Sequence, residues 1–150
     1  MSLKDILHKK LSSLKKSERY VRLREFWIFE GLSNYELSFV DELFYSRKYS
    51  AGEILYEKGF PVELVYLIVS GEVQLQETGQ SFGVNQVLDL SSLFWTETRP
   101  YTAVAVVDTE VMAISQTDFD ELIKKEKSLG VKVLKNICTR LTHIIHDKPC

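Results

Sequence analysis

Asp89, Ser91, Ser92 and Arg99 form the group in this chain whose types and spacing suit an anion. A guanidinium gives charge-assisted hydrogen bonds to a phosphate or carboxylate. Serines at the start of a helical turn present hydroxyls and amides to the same oxygens. The same residues also have plain structural roles: Arg99 pairs with Asp89 or Glu97 at a surface, and the serines cap a turn. His143 and His146 are three apart and share a helical face, as two metal ligands would. Only Asp147 and Cys150 stand near enough in sequence to complete a site, so both histidines are read as solvated polar positions and no metal is assigned. No Gly-x-Ser-x-Gly, Walker loop or Cys/His pair occurs. No catalytic residue is assigned, and the chain is read as a non-enzyme without a cofactor.

The elements that position these residues change texture twice. Leu3, Ile6, Leu7, Leu11 and Leu14 recur at helical spacing with lysines opposite. Such a face suits a membrane surface or nucleic acid, or simply packing on the domain. Phe26, Trp27, Ile28 and Phe29 follow as an anchor for that helix. Ser33 and Glu36 make a capping box, and Leu37, Val40, Leu43 and Phe44 predict a helix to about Phe44. From Tyr49 to Ile114 the chain is a series of short β-rich runs. They are Ile54–Tyr56, Leu64–Val69, Val73–Gln76, Ala103–Val107 and Val111–Ile114. Gly52, Gly59, Gly71, Gly79 and Gly83 break them, where turns call for positive φ. Short strands at this spacing mean a sandwich or barrel. Beyond Ile114 the helical period returns. Ser115 with Asp118 caps one helix, Gly130 interrupts, and Leu134, Ile137, Leu141 and Ile144 form a two-heptad seam beside Cys138.

The chain has 150 residues, 45% apolar and 27% charged, which is the balance of one globular domain. Residues 1–24 hold eight Lys/Arg against Asp5 and Glu18, a net +6, while the remainder holds eleven basic and nineteen acidic residues, a net −8. The body therefore does not invite nucleic acid. No apolar run reaches the ~20 residues of a membrane span, no secretory leader is evident, and two cysteines fit a reducing cytoplasm.

Ser50-Ala51-Gly52-Glu53-Ile54-Leu55-Tyr56-Glu57-Lys58-Gly59, then Tyr66-Leu67-Ile68-Val69-Ser70-Gly71-Glu72-Val73, and finally Asp108-Thr109-Glu110-Val111-Met112-Ala113-Ile114-Ser115, resemble the cyclic nucleotide-binding domain of the catabolite-activator and fumarate-nitrate-regulator type. The resemblance spans about residues 26–146. It implies an α+β domain: a β-roll (a double-stranded β-helix, or jelly roll) over 50–114 with helices before it and two after. Residues 1–25 are then a basic helical segment and 26–150 the domain. It also implies a phosphate-binding cassette of the pattern Phe-Gly-Glu, a helical turn, and Pro-Arg-x-Ala-Thr. Counting back from Asp108 sets Arg99 on the arginine, Asp89 on the glutamate that accepts from a ribose hydroxyl, and Leu88 on the glycine. The candidate ligand residues are Leu88, Asp89, Leu90, Ser91, Ser92, Arg99, Tyr101 and Thr102. Leu88 is bulky where backbone meets phosphate, Asp89 is a methylene short, and Pro100 lacks an N–H. A shifted register sets Pro100 on the proline and Tyr101 on the arginine, which removes the cation. The Gly79–Gln86 hairpin is short for the family. Phe94 and Trp95 are placed near the pocket, to stack on a purine or plug it.

The expected function is a regulatory, signalling module of weak or lost cyclic nucleotide affinity that works through protein contacts. Its partners are a second copy, joined as a homodimer through the seam Leu134, Ile137, Leu141 and Ile144, and another protein. Two alternatives stay open. One is a working sensor for a cyclic nucleotide or other anion; the other is a transcription regulator whose helix-turn-helix would lie beyond Cys150. Cupins share the barrel but hold a metal with histidines inside it, and His8, His143 and His146 all fall outside 50–114.

Overall fold

The computed structural model describes residues 2–3, 16–95 and 98–147. Ile6, Leu7, Leu11 and Leu14 of the N-terminal stripe, His8, Glu97 and Cys150 lie outside the described residues. Helical residues 16–24 (α1) lead into a 3-10 turn, Trp27–Phe29, and α2, Asn34–Leu43. Eight strands follow: β1 Tyr45–Tyr49, β2 Ile54–Tyr56, β3 Leu64–Ser70, β4 Val73–Leu75, β5 Ser81–Phe82, β6 Val87–Leu88, β7 Ala103–Ala105 and β8 Thr109–Ser115. A second 3-10 turn, Leu90–Leu93, separates β6 from β7, and α3 Gln116–Lys125 and α4 Lys127–His146 complete the order.

Two four-stranded antiparallel sheets, β1-β8-β3-β6 and β2-β7-β4-β5, form the roll. Strand alternation creates two cores. On β3, Val65 and Leu67 face a cluster shared with the helices, while Tyr66 and Ile68 face the interior of the roll. On β8, Ile114 joins the first and Val111 and Ala113 the second. Leu23, Phe26, Phe29, Leu37, Val40, Phe119, Leu129 and Ile137 fill the helical cluster. The Phe26–Phe29 rings meet edge-on at 6.3 Å and Phe29–Phe44 at 5.5 Å, which packs the chain after α1 on the core; the Leu3–Leu14 helix that this cluster was expected to anchor lies, apart from Leu3, outside the described residues. In β4, Val73 and Leu75 are buried and Gln74 is exposed, the expected period of two.

Both caps form: Ser33 and Glu36 exchange the two bonds of a capping box, and Ser115 accepts from the Asp118 N–H. Two expectations are corrected. The roll begins at Tyr45 rather than after Tyr49, because β1 pairs along its whole length with β8 although four of its five residues are exposed. Gly130 does not break a helix; the chain turns at Glu126, and Gly130 lies inside α4. A Cβ at Gly130 would sit 2.9 Å from the Ile123 Cβ, so the glycine serves the close approach of α3 and α4. At Gly71, by contrast, φ is +90° and a Cβ would collide with Thr109 and the Asp108 carbonyl.

Candidate functional site

The site is built around Arg99, which is only 3% exposed. Its backbone is pinned to the β2–β3 turn: Arg99 N–H donates to the Phe60 carbonyl (2.7 Å) and Gly59 N–H to the Arg99 carbonyl (2.8 Å). Thr98 bridges Pro61 beside it. The side chain lies over the Tyr56 ring and beside Tyr66. Its guanidinium carbon lies 3.6 Å from the Tyr56 ring centroid and 5.6 Å from that of Tyr66. The two rings are themselves stacked at 6.0 Å. Nη2 donates to the Leu64 carbonyl at 3.3 Å. Nη1 makes a direct ion pair with Asp89 Oδ2.

Asp89 reaches that position through its backbone. It is in the left-handed region (φ 64°, ψ 40°) at the entry to the Leu90–Leu93 turn, a conformation that costs most residues about 1–2 kcal/mol and suits Gly, Asn or Asp. Leu93 is buried in the helical core and Leu90 packs against it, which fixes the turn. The Asp89 carboxylate makes no cap bond to its own helix; it faces Arg99 and the Tyr56 hydroxyl instead. Burial pushes its carboxyl above the usual value, opposed by the Arg99 charge and the Tyr56 hydrogen bond. Burial, with Asp89 beside it, drives the Tyr56 phenol far upward, and burial raises Tyr66 to about 12. Both phenols are neutral across the physiological range.

Of the residues singled out in the sequence, the structure therefore unites Asp89 and Arg99. It disperses the others. Leu88 is 2% exposed and points into the roll core, so it does not obstruct a ligand. Ser91 is exposed. Ser92 is buried, and its hydroxyl has no hydrogen-bond partner among the described residues. Thr102 is consumed by the fold: its hydroxyl accepts from Lys58 N–H and its N–H donates to Glu77. Tyr101 is 37% exposed at the surface. Phe94 packs edge-on against Phe119, and Trp95 is exposed. Neither lines the cleft of about 500 Å³ that adjoins Arg99, whose walls include Tyr56, Phe60, Leu64, Tyr66 and Arg47. Tyr56 and Tyr66 were not singled out for the site. Their one signal was placement on strands either side of a tight turn, which is no different from that of core aromatics.

The helical seam divides. Ile137 is 2% exposed and belongs to the chain's own core, with Leu134 packed against it. That corrects its assignment to a partner-facing stripe. Leu141 (47%) and Ile144 (45%) remain exposed, together with Ile145 and Cys138. His143 and His146 are exposed on the same helix, and no group of three or more His, Cys, Asp or Glu is placed to hold a metal among the described residues. No helix among them is long and apolar enough to cross a membrane.

Comparison with known proteins converges on one architecture. The N-terminal domain of a transcriptional regulator from Streptomyces coelicolor A3(2) superposes with a TM-score of 0.73 at 18% identity, covering 86% of this chain and 96% of that one. The Thermus thermophilus catabolite activator protein gives 0.64 at 26% identity, over 81% of this chain and 61% of that one. In sequence, the cyclic AMP receptor protein of Thermus thermophilus is 31% identical over 106 residues, 65% of this chain and 49% of the receptor. Lysophospholipase NTE1 of Chaetomium globosum is 28% identical over 108 residues, 65% of this chain but 7% of that enzyme. The chain thus spans about half of one relative and 7% of the other. Residues 46–126, more than half of the chain, match the family described as Cyclic nucleotide-binding domain. With its roll and flanking helices in that order, this chain belongs to the cyclic nucleotide-binding domain family.

Proposed function

We propose that this domain is a regulatory module whose nucleotide site is closed from within, so that it signals through protein contacts rather than through a bound cyclic nucleotide. The observation that carries the reading is the Arg99–Asp89 ion pair. The family's arginine is the cation for the ligand phosphate, and here a carboxylate of the same chain satisfies it. A register one residue later is also supported by the backbone. The left-handed position before the turn, where glycine is favoured, is Asp89 rather than Leu88. The glutamate position then falls on Leu90, which has no acceptor for a ribose hydroxyl. Pro100 adds a missing N–H beside the arginine.

Magnitudes support a large loss. Drawing Arg99 away from Asp89 strands a largely buried charge, at a cost of about 3–5 kcal/mol. That converts a micromolar site into one near millimolar. Calorimetric titration with cyclic AMP and cyclic GMP tests the reading. Dissociation constants no tighter than high-micromolar to millimolar are expected; a micromolar value abolished by Arg99→Ala would overturn it and favour a working sensor. For the protein contact, the exposed end of α4 supports self-association: Leu141 and Ile144, two of the four seam residues, remain uncovered beside Ile145.

A further inference from the structure

We infer that the groove between α2 and α3 is a docking surface for a basic amphipathic helix, and that its occupant is residues 4–15 of this chain. The inference goes beyond the closed site and does not depend on it. The groove encloses about 240 Å³. Its floor is apolar: Leu122 of α3 is buried, and Phe39 and Leu43 of α2 are half-buried against the helical core. The exposed Tyr35 ring meets Phe39 edge-on at 5.0 Å and adds apolar surface beside that floor. The rim is acidic, with Glu42, Glu121 and Glu126 against the single lysine Lys125, a net −2. Glu121 lies 3.9 Å from Lys125, one exposed helical pair. Glu42 and Glu126 are in no ion pair among the described residues. An apolar floor bordered by unpaired carboxylates fits a helix with one aliphatic stripe and lysines at its sides.

The chain carries such a helix in its own sequence. Leu7, Leu11 and Leu14 stand at i, i+4 and i+7, with Ile6 beside them, the anchor spacing of a helix laid in a groove. Lys4, Lys9, Lys10 and Lys15 stand against Asp5 alone, a net +3. Leu3 is 78% exposed and is not one of the anchors. The segment is also tethered near its site. Arg19 gives two hydrogen bonds to Asp41 of α2, at 2.8 and 2.9 Å, and Asp41 directly precedes Glu42 and Leu43. A short tether of this kind sets a local concentration on the order of millimolar, enough for a modest groove to be filled. The pairing satisfies both halves: the stripe gains an apolar floor, and the unpaired carboxylates gain lysines. The other surfaces open to a basic amphipathic helix, a second copy and an anionic membrane, are outcomes of the test.

The experiment uses the full chain, labelled with nitrogen-15 and carrying a nitroxide at Ser12→Cys, a position outside the stripe, with Cys138→Ser and Cys150→Ser. Paramagnetic broadening of backbone amides reports what lies near the segment, and the rest of the spectrum checks the fold. Amides of Phe39, Leu43 and Leu122 are expected to lose intensity more strongly than those of β4. Leu7→Asp with Leu11→Asp should relieve that loss, and so should Glu42→Lys with Glu126→Lys. Adding Lys9→Glu and Lys10→Glu to the second pair should restore it, because the charges are then exchanged across the contact. If Glu126→Lys disturbs the turn between α3 and α4, Glu42→Lys alone carries the test. No loss at the groove, or a loss that neither pair relieves, overturns the inference. A mixture of labelled chain without nitroxide and unlabelled chain with it separates the two copies: broadening as strong in the mixture assigns the groove to a second copy's segment and overturns the assignment to the chain's own. Binding to phosphatidylglycerol vesicles that Leu7→Asp with Leu11→Asp abolishes, with no loss at the groove, makes the segment a membrane contact and also overturns it. None of these outcomes touches the calorimetric test of the closed site.

Discussion

A buried carboxylate, Glu36, and a half-buried one, Asp89, respond to pH in opposite directions, and each follows from its neighbours. Glu36 accepts from Lys132 Nζ (2.7 Å) and from the Ser33 N–H (3.0 Å). These bonds, Lys132 first, hold its carboxyl below the usual 4.5. A lowered folded value contributes stability that is present above 4.5 and lost as pH falls through the folded value. Asp89 has a raised value, so its contribution is fullest in acid and falls as pH rises through the folded value. Glu36→Gln should lower stability at pH 7 by about 1–2 kcal/mol. It should also flatten the loss of stability below pH 4.5, read as urea midpoints across pH. An acid limb as steep as that of wild type would show that Glu36 does not govern it. The sequence carried the capping box that places Glu36, but not Lys132, ninety-six residues away on α4. The candidate site divides in the same way. Arg99 was legible as a residue of interest because only β7 and its flanking turns separate it from Asp108. Asp89 was legible as one of two partners for Arg99, but at a surface; that the arginine is buried (3% exposed) and that Asp89 reaches it from a left-handed backbone had no clear sequence signal.

At the scale of elements, hydrophobic period and capping chemistry carried most of the fold. The helices of α2 and α3 begin where Ser33 and Ser115 cap them, and β4 alternates as written. β1 was missed because Tyr45-Ser46-Arg47-Lys48-Tyr49 has no buried face to advertise it; its ladder with β8 supplies the order. Gly130 was misread because a helical glycine needed for contact looks the same in sequence as one that ends a helix. The seam on α4 was read as one stripe, but a helix of 20 residues crosses two environments. Its first turns pack on the core, and its last turns project beyond it. Self-association through that projecting end is a prediction about α4 alone. Sedimentation at tens of micromolar should show a dimer, and Leu141→Asp should give a monomer of unchanged fold. A wild-type monomer at that concentration would remove α4 as the contact. Two heptads are short for an isolated coiled coil, so the flanking roll surface must share in the interface.

For the molecule as a whole, the two cores hold the Asp89 turn and the strands beside Arg99 in fixed positions. β3 sends Leu67 to the helices and Tyr66 to the roll. The Leu90–Leu93 turn is clamped to the helical core through Leu93, while Asp89 at its entry pairs with Arg99. On the reading proposed above, the fold keeps this turn in place while Asp89 supplies Arg99 with an anion from the same chain. The net −8 of residues 25–150 also gives a phosphate no long-range attraction to this surface. The account stands or falls on whether Asp89 and Arg99 satisfy each other inside the folded domain. A double-mutant cycle with Asp89→Asn, Arg99→Met and the pair, read in urea unfolding at pH 7, measures that most directly. The predicted result is a coupling of about 2 kcal/mol or more, with the double variant more stable than Arg99→Met alone, because the second substitution removes a stranded charge. Single effects that add to within about 0.5 kcal/mol would mean that the two side chains do not depend on each other, and would contradict the closed site.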